Sequence, residues 1–304
     1  MTPTAHLVDG SLYVCRAYFA PMPDIAGEDG ASVVAVHGFT RFLLDLIERA
    51  RPTHIAVAFD ESLTTSFRNA IYPAYKAHRD PAPPELMRQF EWCKEVAAAL
   101  GVAVMADAQY EADDLIGSAL IALRMAGFRG VIVSADKDFA QLIGEGDEQW
   151  DPQRNQRWDV HGVKTRLGVR PDQVADYLAL TGDSVDNIPG VPGIGPKTAA
   201  ILLHHFGTLD ALLERAEDVA FLRTRGAAAA AMRLREHADS ARLSRLLSAI
   251  ALDAPVPLAA DAYARRAIDA AAVESLFDRL KLGPLTRARV RALASAGETP
   301  ASAA

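Results

Sequence analysis

The chain has 304 residues, half of them hydrophobic, and a net charge of −7. That length holds one large domain or two modest ones around a sizeable core, and no apolar run approaches the roughly 20 residues of a membrane span. Its two cysteines, Cys15 and Cys93, lie in no metal-ligand or redox spacing. That excludes a disulfide scaffold and suits a reducing compartment. The N-terminus lacks the basic and apolar stretches of an export signal, so a cytoplasmic protein is expected.

In chain order, residues 5–9 read as a short buried strand ending in Asp9, with a helix running on to Tyr18. Apolar residues at helical spacing predict a helix over 34–50, stopped before Pro52. Residues 55–60 are a second buried strand, again ending in an aspartate, Asp60. A helix is expected over 86–100 and a strand over 102–105. Next comes Tyr110-Glu111-Ala112-Asp113-Asp114, three carboxylates in four residues opening a helix over about 111–126. The strand 130–134 is followed at once by Asp136 and Asp138. Short apolar runs alternating with amphipathic helices predict an α/β fold with a mainly parallel central sheet flanked by helices.

Ligands of such sheets bind beyond the carboxyl ends of the strands. Asp9, Asp60, the Glu111/Asp113/Asp114 triplet and the Asp136/Asp138 pair all fall there in sequence. One acid after a strand is commonly a helix cap. Seven in equivalent places form a crowded set that must be fully exposed or held by cations. Hard oxygen donors without a Cys/His cluster favour Mg²⁺ or Mn²⁺ over zinc.

Residues 145–170 are polar and turn-rich, and are taken as the end of the first unit. A helix over 172–181 is followed by Asp183, Asp186 and the stretch Ile188-Pro189-Gly190-Val191-Pro192-Gly193-Ile194-Gly195-Pro196-Lys197-Thr198. Its glycines and prolines force a tight hairpin ahead of a helix reaching about Phe206. Backbone N–H groups there can hold a phosphate without reading a base. The rest is helical, including 270–282, with a frayed tail expected from about 292.

The acidic average argues at first against a nucleic-acid partner. Without the nine acids Asp9, Asp60, Glu111, Asp113, Asp114, Asp136, Asp138, Asp183 and Asp186, the remainder stands at +2. Residues 62–79 carry Arg68, Lys76 and Arg79 and no acid, and residues 219–235 carry four arginines and no acid. Either run alone reads equally well as a solvated basic face.

These motifs, in this order, resemble the 5′-nuclease domain at the front of bacterial DNA polymerase I, within the flap-endonuclease superfamily. The resemblance covers roughly residues 5–290. It is carried by Leu7-Val8-Asp9-Gly10-Ser11, Phe59-Asp60, Phe67-Arg68, Tyr75-Lys76-Ala77-His78-Arg79, Glu111-Ala112-Asp113-Asp114, Asp136-Lys137-Asp138 and Gly182-Asp183-Ser184-Val185-Asp186-Asn187-Ile188-Pro189-Gly190. It implies a nuclease domain over 1–168 with an arch at about 62–84, and a helical DNA-binding region over 169–291. That region would hold a helix-hairpin-helix at about 176–206, and 292–304 would be a flexible tail.

By the resemblance, Asp9, Asp60, Glu111, Asp113 and Asp114 serve a metal at the scissile phosphate, and Asp136, Asp138, Asp183 and Asp186 serve more distant metal positions. Lys76, Arg79 and Arg68 would neutralise the phosphate, and Tyr75 would offer a stacking face to an unpaired base. Gly190, Val191, Gly193, Ile194, Gly195, Lys197 and Thr198 would track duplex DNA, with a K⁺ ion at the hairpin.

The implied activity is a two-metal 5′-3′ exonuclease and flap endonuclease using Mg²⁺, with Mn²⁺ as substitute. It would act in replication and repair on DNA with a 5′ flap, 5′ end or nick, or on an RNA primer–DNA hybrid. The chain would be a monomer, off the membrane, and a polymerase would be its partner in trans. Cys15, where the family often has an aromatic, and Ala135, where a small glycine or serine is usual, are minor departures. With no polymerase segment before Ala304, the sequence reads as a standalone nuclease or an excised piece. The competing readings are a nuclease-inactive DNA-junction binder and a small-molecule phosphohydrolase. The full acid set weighs against the first, and the basic run with the hairpin against the second.

Overall fold

The computed structural model describes residues 2–21, 25–61 and 64–297. In chain order it forms β1 (Thr4–Asp9), α1 (Gly10–Tyr18), α2 (Val34–Ala50), β2 (His54–Asp60), α3 (Phe67–Ile71), α4 (Pro84–Ala99), β3 (Ala103–Asp107), α5 (Ala112–Met125) and β4 (Arg129–Val133). There follow β5 (Glu148–Asp151), β6 (Gln156–Trp158), α6 (Val160–Leu167), α7 (Val174–Thr181), α8 (Pro196–Phe206) and α9 (Leu209–Glu214). The last helices are α10 (Ala227–Glu236), α11 (Ala238–Ser248), α12 (Ala270–Arg279) and α13 (Pro284–Gly297). This is the expected α/β order with a helical C-terminal region. Among the described residues no helix is long and apolar enough to cross a membrane.

Two compact units emerge. The first comprises Met1–Glu61, Pro81–Ser134 and Leu252–Ala304; the second comprises Ser62–Asp80 and Ala135–Ala251.

In the first unit, four parallel strands pair in the order β3-β2-β1-β4. Strands buried on both faces must be apolar throughout, and Leu7, Val8, Ile55, Ala56, Val57, Ile132 and Val133 have no exposed surface. The chain steps from β1 outward to β3, then returns to place β4 on the other side of β1. The space beyond the carboxyl ends of β1 and β4 is therefore the topological switch point of the sheet, where open α/β folds bind ligands. Helix α5 packs along all four strands, while α1, α2 and α4 pack on one another. Tyr13 of α1 stacks on Phe42 of α2 with ring centroids 3.7 Å apart, a contact worth about 1 kcal/mol beyond its buried area.

In the second unit, residues 145–170 differ from the expected turn-rich boundary. They hold the antiparallel pair β5–β6 and the helix α6. The strands are too short for alternation to register, and Asn155 takes the left-handed conformation (φ 51°) in their turn. Trp150 is buried and the Arg157 guanidinium lies 4.0 Å from its ring centroid. Helices α7 and α8 flank the glycine-rich hairpin, and α11 packs on α7. Gln173 ties the start of α7 to the end of α8 by donating to the carbonyls of Leu203 and Gly207, both at 2.8 Å. At the C-terminus, α13 carries regular helix past the expected fraying point to Gly297; residues 298–304 lie outside the described residues.

Candidate metal centre and nucleic-acid interface

In the first unit the acids stand at the carboxyl ends of the strands because each ends a strand or opens the next helix. Asp9 ends β1 and caps α1, its Oδ1 accepting from the Leu12 amide at 3.0 Å. Its Oδ2 accepts from the Ser134 hydroxyl at 2.8 Å, just past β4 and beside the switch point. Asp60 ends β2; its amide donates to Ser11 Oγ at 2.8 Å, and its Oδ1 accepts from the Ala112 amide at 2.9 Å. The carboxylate at the end of β2 is thus tied to the first turn of α5. That turn holds the triplet: Glu111 at the N-cap, Asp113 half-buried, and Asp114 fully buried with its Oδ2 accepting from the Glu111 amide at 3.0 Å. Negative charge is favoured at a helix N-terminus, so the fold tolerates three crowded acids there.

Asp107 was not among the sequence candidates. It ends β3 in register with Asp60 and turns its Oδ1 onto the amides of Gln109 and Tyr110, at 2.7 and 3.1 Å. Ser11 and Ser134, which fix Asp60 and Asp9, were missed as well. A single serine after a glycine or a strand carries no signal of its own; a polar residue following an apolar run is the only cue.

The second unit gathers the remaining four acids. Asp136 caps a 3-10 turn over Lys137–Leu142 by accepting from the Asp138 amide at 2.9 Å. Lys137 Nζ donates to Asp183 Oδ2 at 2.6 Å. Asp138 Oδ1 is buried and receives no hydrogen bond. Burial first, then the charges of Asp136, Asp183 and Asp186, push the Asp138 carboxyl well above the usual range against the pull of Lys137. Lys137 is raised in turn: burial pulls it down, but the Asp183 hydrogen bond and the charges of Asp138, Asp183 and Asp136 outweigh that. This group of acids is electrostatically short of positive charge. Among the described residues no three His, Cys, Asp or Glu side chains are already gathered around one point fit for a metal ion.

Asp183 to Ile188 form a loop closed by reciprocal backbone bonds, Asp183 N–H to Ile188 O at 2.9 Å and the reverse at 2.7 Å. Two glycines make it possible. Gly182 and Gly190 have φ of 71° and 64°, and a Cβ on Gly190 would lie 2.4 Å from the Gly182 nitrogen. The loop receives the basic segment. Lys76 N–H donates to Asp186 O at 3.0 Å, and Asn187 Nδ2 donates to Ala74 O at 2.7 Å. Arg79 pairs with the Asp186 carboxylate, Lys76 Nζ lies 3.9 Å from it, and the Tyr75 hydroxyl reaches it at 3.4 Å.

Two expected roles change. Tyr75 is 2% exposed, packed with Ile188 and Leu247, and turns no face to a base in this conformation. Arg68 is 3% exposed and donates to the carbonyls of Leu247 and Ala249 at 2.9 and 2.8 Å, so it presents no charge to a phosphate. Both were placed outside because sequence shows a basic, aromatic run and not the carbonyls and apolar side chains waiting for it. Lys76 and Arg79 are the cations of this run that stand beside a carboxylate of the acidic group.

In the hairpin, Val191 and Ile194 are buried, while Gly193, Gly195 and Lys197 are exposed and Thr198 is half-buried in the first turn of α8. Gly190 is held from both sides, its amide donating to Ser244 Oγ at 2.9 Å and its carbonyl accepting from Ser240 Oγ at 2.8 Å.

Comparison with known proteins gives the family of the chain. A family described as 5′-3′ exonuclease, N-terminal resolvase-like domain, matches residues 4–168, and one described as 5′-3′ exonuclease, C-terminal SAM fold, matches residues 169–271. DNA polymerase I of Rhizobium leguminosarum is 40% identical over 263 residues, covering 84% of this chain and 25% of the relative. That of Mycobacterium leprae is 36% identical over 301 residues, covering 97% and 32%. The chain thus spans about a third or less of the length of these relatives.

Among solved structures, bacteriophage T5 5′-exonuclease with bound divalent metal ions (zinc) superposes with a TM-score of 0.66 at 17% identity, over 95% of this chain and 98% of that one. The catalytic core of Rad2 in complex with DNA substrate gives 0.64 at 14% identity, over 96% and 92%. At those identities the likeness is one of fold. With both halves matched in order over residues 4–271, the chain belongs to the 5′-3′ exonuclease family of phosphodiester-hydrolysing nucleases.

Proposed function

We propose that the chain is a divalent-metal-dependent, structure-specific 5′-3′ exonuclease and flap endonuclease acting on DNA. The observation that carries the proposal is the carboxylate group of the second unit, in a chain of this family. Asp138 keeps a buried, unbonded oxygen among three other acids, an arrangement a divalent cation stabilises and its absence leaves unfavourable. The all-oxygen donor set fits Mg²⁺, with Mn²⁺ as substitute. Asp9, Asp60, Glu111, Asp113 and Asp114 would hold the ion at the scissile phosphate; Asp136, Asp138, Asp183 and Asp186 would hold the second. A pair of such ions supplies an activated water and charge stabilisation for in-line displacement.

The protein's own side chains orient and neutralise. Ser134 holds the Asp9 carboxylate at the end of β1, and Ser11 holds the backbone amide of Asp60 at the end of β2. Lys76 and Arg79, which pair with Asp186, would be the cations that neutralise the scissile phosphate. Gly193, Gly195, Lys197 and Thr198 would hold the backbone of the duplex through N–H groups and charge, a mode blind to base sequence, while Gly190, Val191 and Ile194, whose N–H groups donate to Ser244 Oγ, Leu180 O and Val191 O, would shape the turn.

The substrates would be 5′ flaps, 5′ ends and nicks, and primer hybrids, with the work done in replication and repair beside a polymerase. The second reading, a junction binder without activity, is tested by incubating a labelled 5′ flap with the protein in Mg²⁺ and in EDTA while binding is measured. Cutting confined to Mg²⁺, with binding in both, supports the nuclease; tight binding with no product in Mg²⁺ or Mn²⁺ leaves the binder.

A further inference from the structure

At the hairpin, where a K⁺ ion is expected, the exposed turn already holds a protein cation. Ile188, Gly190, Val191, Gly193 and Gly195 carbonyls each already accept a hydrogen bond from the protein. At Gly193 the donor is itself a cation: Arg233 of α10, whose Nη1 donates to Gly193 O at 3.2 Å. Gly193 has φ of 76°, and a Cβ there would lie 2.4 Å from Nη1, 2.7 Å from Cζ and 3.1 Å from Nε. The guanidinium therefore lies against the bare face of this glycine, which no other residue allows. Among the described residues the Arg233 guanidinium has no carboxylate partner, and its one hydrogen bond is to the Gly193 carbonyl. Neighbouring arginines differ: Arg235 pairs with Glu217, and Arg245 with Asp176.

We propose that Arg233 is a DNA-backbone contact of the hairpin: a fixed guanidinium that takes the place of a bound monovalent cation, anchored on the Gly193 carbonyl and offering its remaining N–H groups to a phosphate. An arginine without an acid partner, half-buried beside exposed N–H groups, is suited to bidentate phosphate recognition. A second cation beside it is repelled, so the hairpin has no need of K⁺. The inference rests on the DNA-binding reading above.

The test is affinity for a nicked duplex in EDTA, measured across a salt series for the parent, Arg233→Ala, Arg233→Gln and Lys197→Ala. The expected result is about a tenfold loss for Arg233→Ala and a salt slope shallower by about one. Arg233→Gln, which keeps a donor for Gly193 but not the charge, should lose as much. The parent should bind equally in KCl and NaCl at matched ionic strength. Three results overturn the proposal: parent-like affinity and slope in Arg233→Ala while Lys197→Ala weakens binding, rescue by Arg233→Gln, which makes the residue a mere stitch, or a tenfold preference for KCl. A parent that binds no DNA removes the nuclease reading itself, and this inference with it.

Discussion

At the scale of single residues, the second unit's acids Asp136, Asp138, Asp183 and Asp186 outnumber the cations paired with them, Lys137, Lys76 and Arg79. Half-buried Asp138 keeps its Oδ1 buried among like charges, with its carboxyl pushed well above the ordinary range by burial and by Asp136, Asp183 and Asp186. Replacing it by Asn should raise the stability of the metal-free protein by about 1 kcal/mol, a shift of about 2 °C in Tm. It should also shrink the stabilisation that Mg²⁺ gives the parent; thermal scans in EDTA and in Mg²⁺ read both effects. Unchanged scans would mean that Asp138 neither suffers from its neighbours nor meets a cation. Strand-ending aspartates were legible in the sequence because an apolar run stops at each. Asp107 was not, because its strand, Ala103–Asp107, is only partly buried and announces its end poorly. Arg68 was misread for the opposite reason: a buried arginine satisfied by carbonyls looks like any surface cation in sequence.

At the scale of elements, the basic segment and the loop 183–188 stabilise one another. Arg68→Ala leaves two buried carbonyls at the end of α11 without donors and should cost about 3 kcal/mol in denaturant unfolding. Gly190→Ala meets both a positive φ and the backbone of Gly182. It should cost about 3 kcal/mol or more, and duplex affinity should fall with it. Parent-like unfolding of either variant would mean that the loop tolerates rearrangement. Helices α1, α2, α4, α5, α7, α8 and α12 and the four parallel strands were readable from periodicity and apolar runs to within a few residues, whereas α3 and α6 were not. The pair β5–β6 was not: its strands have four and three residues, too few for a pattern, and a tertiary partner decides them.

At the scale of the whole molecule, an acidic chain is proposed to bind a polyanion, and the sign of its net charge is a poor guide because nine of its 39 acids belong to the strand ends and the second unit's acidic group, and the remainder stands at +2. Binding through hairpin N–H groups, Lys197 and Arg233 predicts steep salt dependence and little sequence dependence. Between 50 and 200 mM salt, affinity for a flap duplex should fall at least about a hundredfold. Permuting the duplex sequence should change it less than about threefold. The reverse pattern, weak salt dependence with strong sequence preference, would point to base readout and away from this interface.

The central claim is that the carboxylates perform chemistry and do not merely cap helices. The most direct measurement is the single-turnover rate of cutting a 5′-labelled flap in Mg²⁺ by the parent and by Asp113→Ala, whose half-buried side chain can be removed with little effect on packing. The account predicts parent cleavage near the junction, a rate at least about a thousandfold lower for the variant, and flap affinity within about threefold of the parent. A variant that cuts as fast as the parent, or a parent that holds the flap and never cuts it, would contradict the account.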